Sequence, residues 1–186
     1  MPGSALQVGV VSDTHGLFDR KLIDLFAGSD LILHAGDVCG QDVLDDLASL
    51  APVRAVCGNC DVAPLSVDLP RWRTEEVGRH RILILHELGK PDRLTAVASA
   101  RIAAERPNVV ISGHSHLGRI VVRDGILFLN PGSAGRKRFR LLRSAALLSL
   151  MPHEVKATLF SLESEKPTAV AHGSCALQRD AEALHA

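Results

Sequence analysis

The chain has 186 residues, enough for one domain with one substantial core and short for two. Its 21 basic and 21 acidic side chains cancel to a formal net charge of zero, which excludes a polyanion-seeking field and gives no support for sequence-specific nucleic-acid binding. Aromatic residues are 3% of the chain with no Tyr, so the stacking platform of a single-strand binder is missing and the core must be aliphatic.

The start, "MPGSALQVGVV", has neither a basic leader nor a long apolar run, and no signal peptide is expected. "LQVGVV" (6–11) reads as a strand and "DRKLIDLFAG" as a helix ending at Gly28. "DLILH" (30–34) is a second strand, "GQDVLDDLASL" a second helix with Leu44, Leu47 and Leu50 on one side, and "VRAVC" (53–57) a third strand. "HRILILH" (80–86) follows, then a helix from about Asp92 to Glu105 and the strand "NVVIS" (108–112). Strands alternating with helices predict an α/β fold with a largely parallel first sheet.

The later part changes character. "GRIVVRDGILFLNPGS" carries a hairpin signal at "RDG", and "AALLSLMPHEVKATLFSLE" predicts another hairpin turning at Pro152-His153-Glu154. These strands imply a second sheet on the first with helices outside, a four-layer α/β/β/α sandwich. The apolar window "LLRSAALLSLM" is too short to span a bilayer and carries Arg143, so no membrane association is expected. Residues 1–163 read as the domain and 164–186, polar and Pro/Gly-punctuated, as a tail with room for a short terminal helix. Four cysteines without a secretion signal favour reduced thiols and a cytoplasmic location. An exposed edge hairpin leaves homo-oligomerisation open.

Five strands end in polar residues. The first runs into "SDTHG" with Asp13 and His15, the second into "HAGD" with Asp37, the third into "CGNCD" with Asn59, the fourth into His86, and the fifth into "GHSH" with His114 and His116. Ligands of open α/β sheets bind outside the carboxyl ends of the strands, so these seven donors can converge. Residues two apart in extended chain share a side, which would let Asp13 with His15, and His114 with His116, face one volume. Gly16, Gly36, Gly58 and Gly113 would permit the tight, often positive-φ turns beside them. Taken singly, each His is a packed or solvated side chain, each Asp a helix cap and Asn59 a turn residue. Their coincidence at five strand ends argues for a cluster. Carboxylate, imidazole and carboxamide donors suit two divalent ions, with Mn expected and Ni, Fe, Co and Zn compatible.

In this order, "SDTHG", "GD", "GNCD", "LH" and "GHSH" resemble the calcineurin-like metallophosphoesterase superfamily. The similarity is strongest to its small single-domain phosphodiesterase branch, which shares an "NPGS" segment like residues 130–133. The resemblance implies the four-layer fold and a dinuclear site in which Asp13, His15 and His116 hold one metal, Asn59, His86 and His114 the other, and Asp37 bridges. Asp37, Asn59 and His114 would then act in catalysis through the metals. Cys60 stands where many members carry a His that assists the leaving group, and Glu87 where many carry Gly. A thiol is a poor general acid, so good leaving groups are expected. The implied activity is hydrolysis of a small-molecule or nucleotide phosphoester, a diester rather than a monoester, by a metal-bridging hydroxide.

In "SAGRKRFRLLR" (133–143), Arg136 is the expected phosphate contact and the remaining cations a solvated edge. His34 is open between packing and support of the site. Cys57 and Cys60 form a C-x-x-C, a weak redox signal. "HELGK" lacks the second His of a zincin. The rival reading is a protein-interaction scaffold of the same fold with a catalytically weak metal site, as in retromer-subunit relatives of this branch.

Overall fold

A computed structural model describes residues 5–90, 92–138 and 140–177. In β1 (Leu6–Val11), Val8 and Val10 point into one apolar cluster and Val11 into another, the period-two alternation of a strand buried on both faces. Gly9 leaves room on the second face for the Phe26 ring of α1 (Lys21–Phe26). β2 (Leu31–His34) and β3 (Val53–Ala55) extend β1 in parallel, with α2 (Gln41–Ala48) crossing between them. Leu22, Phe26, Val43, Leu44 and Leu47 cover the outer face together with Leu65 of α3 (Leu65–Asp68).

The second sheet holds β4 (Trp72–Val77) and β5 (His80–Leu85), and a short hairpin of β6 (Gly89–Lys90) and β7 (Arg93–Leu94) follows them. Next come α4 (Ala96–Glu105), β8 (Val109–Ile111), β9 (Arg119–Arg123) and β10 (Ile126–Asn130). The order in this sheet is β4-β5-β8-β10-β9, with Ala98 and Ile102 of α4 packed on its outer face. Thr95 caps α4 by accepting a hydrogen bond from the Ala98 N–H at 3.1 Å. The helix therefore starts at Ala96, not near Asp92, because Arg93 and Leu94 are already paired with Gly89 and Lys90.

The remaining strands are β11 (Ser144–Met151), β12 (Glu154–Ser161) and β13 (Thr168–Ala176). They extend the first sheet to the order β13-β12-β11-β1-β2-β3, with β11 antiparallel to β1. This sheet is thus mixed rather than largely parallel. The inner faces of both sheets meet over Val8, Val10, Leu33, Ile82, Ile84, Val109, Ile111, Leu127 and Leu148, each contributing roughly 1.5–3 kcal/mol by burial. The expected α/β/β/α sandwich is the architecture. The reading of 164–186 as a tail is corrected for 168–176, which pair along the length of β12. A terminal helix falls on 178–186, outside the described residues. No helix among the described residues is long and apolar enough to cross a membrane, and "LLRSAALLSLM" supplies β11 instead.

Candidate metal centre

The seven predicted donors follow the carboxyl ends of β1, β2, β3, β5 and β8 and meet at one end of the sandwich. Their backbone is not the extended chain that the two-residue spacing suggested. Asp13 (φ 52°), His15 (φ 48°), Asp37 (φ 55°), His114 (φ 67°) and His116 (φ 57°) are all left-handed, as is Cys39 (φ 58°). Each such residue costs about 1–2 kcal/mol. The surrounding bonds hold them there. The Asp13 and His15 N–H groups donate to the carbonyls of Gly36 and Asp37, both at 3.0 Å, prolonging the β1–β2 pairing into the loops. Gly58 and Gly113 have ordinary φ, contrary to the positive-φ expectation; they are needed because a Cβ at either would strike the Asp37 or the Asp13 carboxylate.

On one side, Asp13 Oδ1 lies 3.2 Å from His116 Nε2, and His116 Nε2 lies 3.3 Å from His15 Nε2. Asp13 Oδ2 accepts from Ser12 Oγ at 2.6 Å and the His114 N–H at 3.1 Å, whereas Oδ1 is buried with no hydrogen-bond partner. A buried carboxylate oxygen that accepts no hydrogen bond and faces a neutral imidazole nitrogen is costly unless a cation lies between them. On the other side, Asn59 Oδ1 faces His86 Nε2 at 3.1 Å and His114 Nδ1 at 2.9 Å. His86 Nδ1 lies 2.8 Å from the Ala35 carbonyl, which can only accept, so Nδ1 carries the proton and Nε2 presents its lone pair to Asn59 and Asp37 when the ring is neutral. Asp37 stands between the groups, with Oδ1 3.4 Å from His86 Nε2 and Oδ2 3.9 Å from His15 Nε2. Lone-pair donors of N and O type converging on two adjacent volumes fit two divalent cations.

The charges agree. Burial alone would raise the Asp37 carboxyl, but hydrogen bonds from His86 and the Cys60 N–H hold it far below the usual carboxylate range. Burial, with the nearby Arg138 guanidinium, lowers His15 and favours its neutral, ligating form. Burial opposes protonation of His86, yet its bonds to Asp37 and Ala35 raise its pKa in the metal-free protein.

Several residues outside the donor set support it. Asp61 accepts from the Gly58 and Cys39 N–H groups, both at 2.7 Å, tying the third donor loop to the second. Asn130, the first residue of "NPGS", donates to the Gly113 carbonyl at 2.7 Å and to Ser115 Oγ at 3.1 Å, pinning the His114–His116 loop. His34 is fully buried, 3.0 Å from Thr14 Oγ1, and its Nδ1 accepts from the Gly36 N–H. It therefore supports the loops of Asp13 and Asp37.

Other expectations change. Arg138 is a cation whose charge acts on both His15 and Cys60. Arg143 is drawn away into bonds with Asp19, Ala134 and Gly135. Glu87 is exposed and forms no hydrogen bond or ion pair among the described residues, so it steadies no ligand through one. All four cysteines are free. Cys57 is buried while Cys60 is exposed, and the thiol that reaches the Cys60 carbonyl is Cys39, at 3.6 Å. Burial and neighbouring carboxylates push Cys39 up to about 12 and Cys60 upward too, which removes the thiolate a redox dithiol needs.

Residues 6–152 match the calcineurin-like phosphoesterase superfamily domain. The chain belongs to that superfamily. A probable metallophosphoesterase of Methanocaldococcus jannaschii is 38% identical over 142 residues, which are 70% of this chain and 69% of the relative. Among solved structures, vacuolar protein sorting 29 of Cryptosporidium parvum superposes with a TM-score of 0.78 at 20% identity, covering 94% of this chain and all of that one. Vps29 of Entamoeba histolytica in complex with Zn²⁺ superposes at 0.74 with 24% identity, covering 91% and 99%. At such identities these two structures speak for the fold alone. The superfamily is metal-dependent, and this chain brings candidate metal-ligand clusters together at its strand ends.

Proposed function

We propose that the chain is a dinuclear metal-dependent phosphodiesterase, with Asp13, His15 and His116 holding one cation, Asn59, His86 and His114 the other, and Asp37 serving both. The observation that carries this reading is the buried Asp13 Oδ1, which accepts no hydrogen bond and lies 3.2 Å from His116 Nε2, with His15 Nε2 3.3 Å from that nitrogen and the ionised Asp37 carboxylate alongside. Divalent cations of the Mn²⁺, Fe²⁺, Co²⁺, Ni²⁺ or Zn²⁺ type, which these donors suit, would supply Lewis acidity toward a phosphoryl oxygen and a nucleophile from water near neutral pH.

The protein's own residues then divide the work. Asp37 stays ionised through the neutral range, so its two oxygens can serve both sides of the centre at once. The Ala35 carbonyl fixes the His86 tautomer, and Asp61 and Asn130 hold the loops that carry Asn59 and His114. Arg138, whose charge already acts on His15, would help neutralise an incoming phosphate. Cys60 keeps its proton and is a weak acid, so substrates with good leaving groups turn over fastest.

The test is hydrolysis of bis-p-nitrophenyl phosphate with Mn²⁺, Ni²⁺ or Co²⁺, alongside metal analysis of wild type and Asn59→Ala. Metal-dependent turnover lost in the variant supports the enzyme. Metal bound without turnover of any phosphoester would instead favour a scaffold, the reading that the shared Vps29 fold keeps in view.

A further inference from the structure

Beside the donor cluster lies a cavity of about 440 Å³ that the metal chemistry leaves unused. Its roof is the β6–β7 hairpin, which follows His86 directly, and its floor is the outer face of β9 and β10. The wall toward the metal centre is made by Ser115, between His114 and His116, and by Asn130, which holds that loop. The cavity therefore adjoins the loop that carries His114 and His116.

The lining has two characters. Leu117, Val121 and the buried Phe128 form an apolar floor. Lys90 stands in the roof and Arg119 across the β9–β10 ladder from Asn130, and neither has a carboxylate partner among the described residues. The one acid in the lining is Asp92. Two unpaired cations over an apolar floor suit a flat organic group that carries an anion, and a single carboxylate suits a hydroxyl donor such as a sugar. The volume suits a nucleoside.

We infer that this cavity is the subsite for one ester arm of the phosphodiester, a nucleoside-sized group bearing a second phosphate held by Lys90 and Arg119. The inference rests on the phosphodiesterase reading and adds the class of substrate to it.

The discriminating probes are the dinucleotide pApA, which has a terminal phosphate, and ApA, which lacks it, offered to the full chain with Mn²⁺. Wild type prefers pApA in kcat/KM. Arg119→Gln lowers that preference about tenfold, chiefly through KM, and Arg119→Lys restores most of it. Loss of equal size on both dinucleotides, or no preference in wild type, overturns the subsite. Calorimetric binding of pApA to the metal-free protein separates this outcome from a failure of the hydrolase reading. If nothing is hydrolysed, a tenfold weaker Kd in Arg119→Gln still supports the subsite, and an unchanged Kd rejects it.

Discussion

The six-stranded sheet has two halves built by different connections. β1, β2 and β3 run parallel, so each must return through a helical crossover, and their carboxyl ends open into loops on one side. Those loops carry Asp13, His15, Asp37 and Asn59. β11, β12 and β13 run antiparallel, and β11 passes into β12 through Pro152-His153, with Met151 already paired to Glu154. Such turns leave no room for a constellation, and no metal-ligand cluster lies on that half among the described residues. Burial along β12 simply alternates, and its inward residues Val155, Ala157 and Leu159 pack the core. Chemistry sits where topology forces long loops, and stability where it permits short ones.

The contrast breaks first at Asp37. Asp37→Ala removes the one carboxylate among the described residues that stands between both donor groups, and turnover should fall at least about a thousandfold, roughly 4 kcal/mol of barrier. Phosphodiester hydrolysis and metal content, measured together, check this; a fully metallated, active variant would contradict the bridging role.

The other half should fail in the opposite way. Leu148 of β11 is fully buried between the sheets, and Leu148→Ala should cost about 2–5 kcal/mol in urea unfolding. Activity per folded molecule should stay unchanged. A large fall in kcat without loss of stability would mean that the two halves are coupled more closely than their connections suggest.

His34 sharpens the comparison because it ties the parallel loops together by burial. Its pKa is pushed down to about 4, chiefly by desolvation, against the usual 6.5. The unfolded chain therefore binds the extra proton first, and His34 costs stability as pH falls from about 6.5 to about 4, by roughly 3 kcal/mol in all. Urea midpoints of the metal-free protein over that range should slope less steeply in His34→Gln than in wild type. Identical slopes would show that burial of His34 is not what senses acid.

Much of this division is written in the chain. The five donor-bearing strand ends are legible because apolar runs stop at polar pairs, and the order of those pairs carries the family. β4 is hidden because an edge strand has one solvated face, so "WRTEEV" shows charge instead of clean alternation. β13 is hidden because "TAVAHGSCA" is rich in Ala and Gly; pairing with β12 overrides that weak propensity. The left-handed Asp and His residues leave no mark, since neither type demands positive φ.

The smallest effect belongs to Cys60, the position where a general acid would be expected. Its thiol is exposed, with the Asn59 amide donating to Sγ at 3.3 Å, and burial with the Asp37 bond raises its pKa. What binds the centre is its backbone: the Cys60 N–H donates to Asp37 Oδ1 at 2.8 Å, and alanine keeps that N–H. Cys60→Ala should therefore cost less than about fivefold on bis-p-nitrophenyl phosphate, under 1 kcal/mol of barrier. A loss approaching that of Asp37→Ala would make the thiol itself a participant and would move proton transfer to the leaving group back onto the protein.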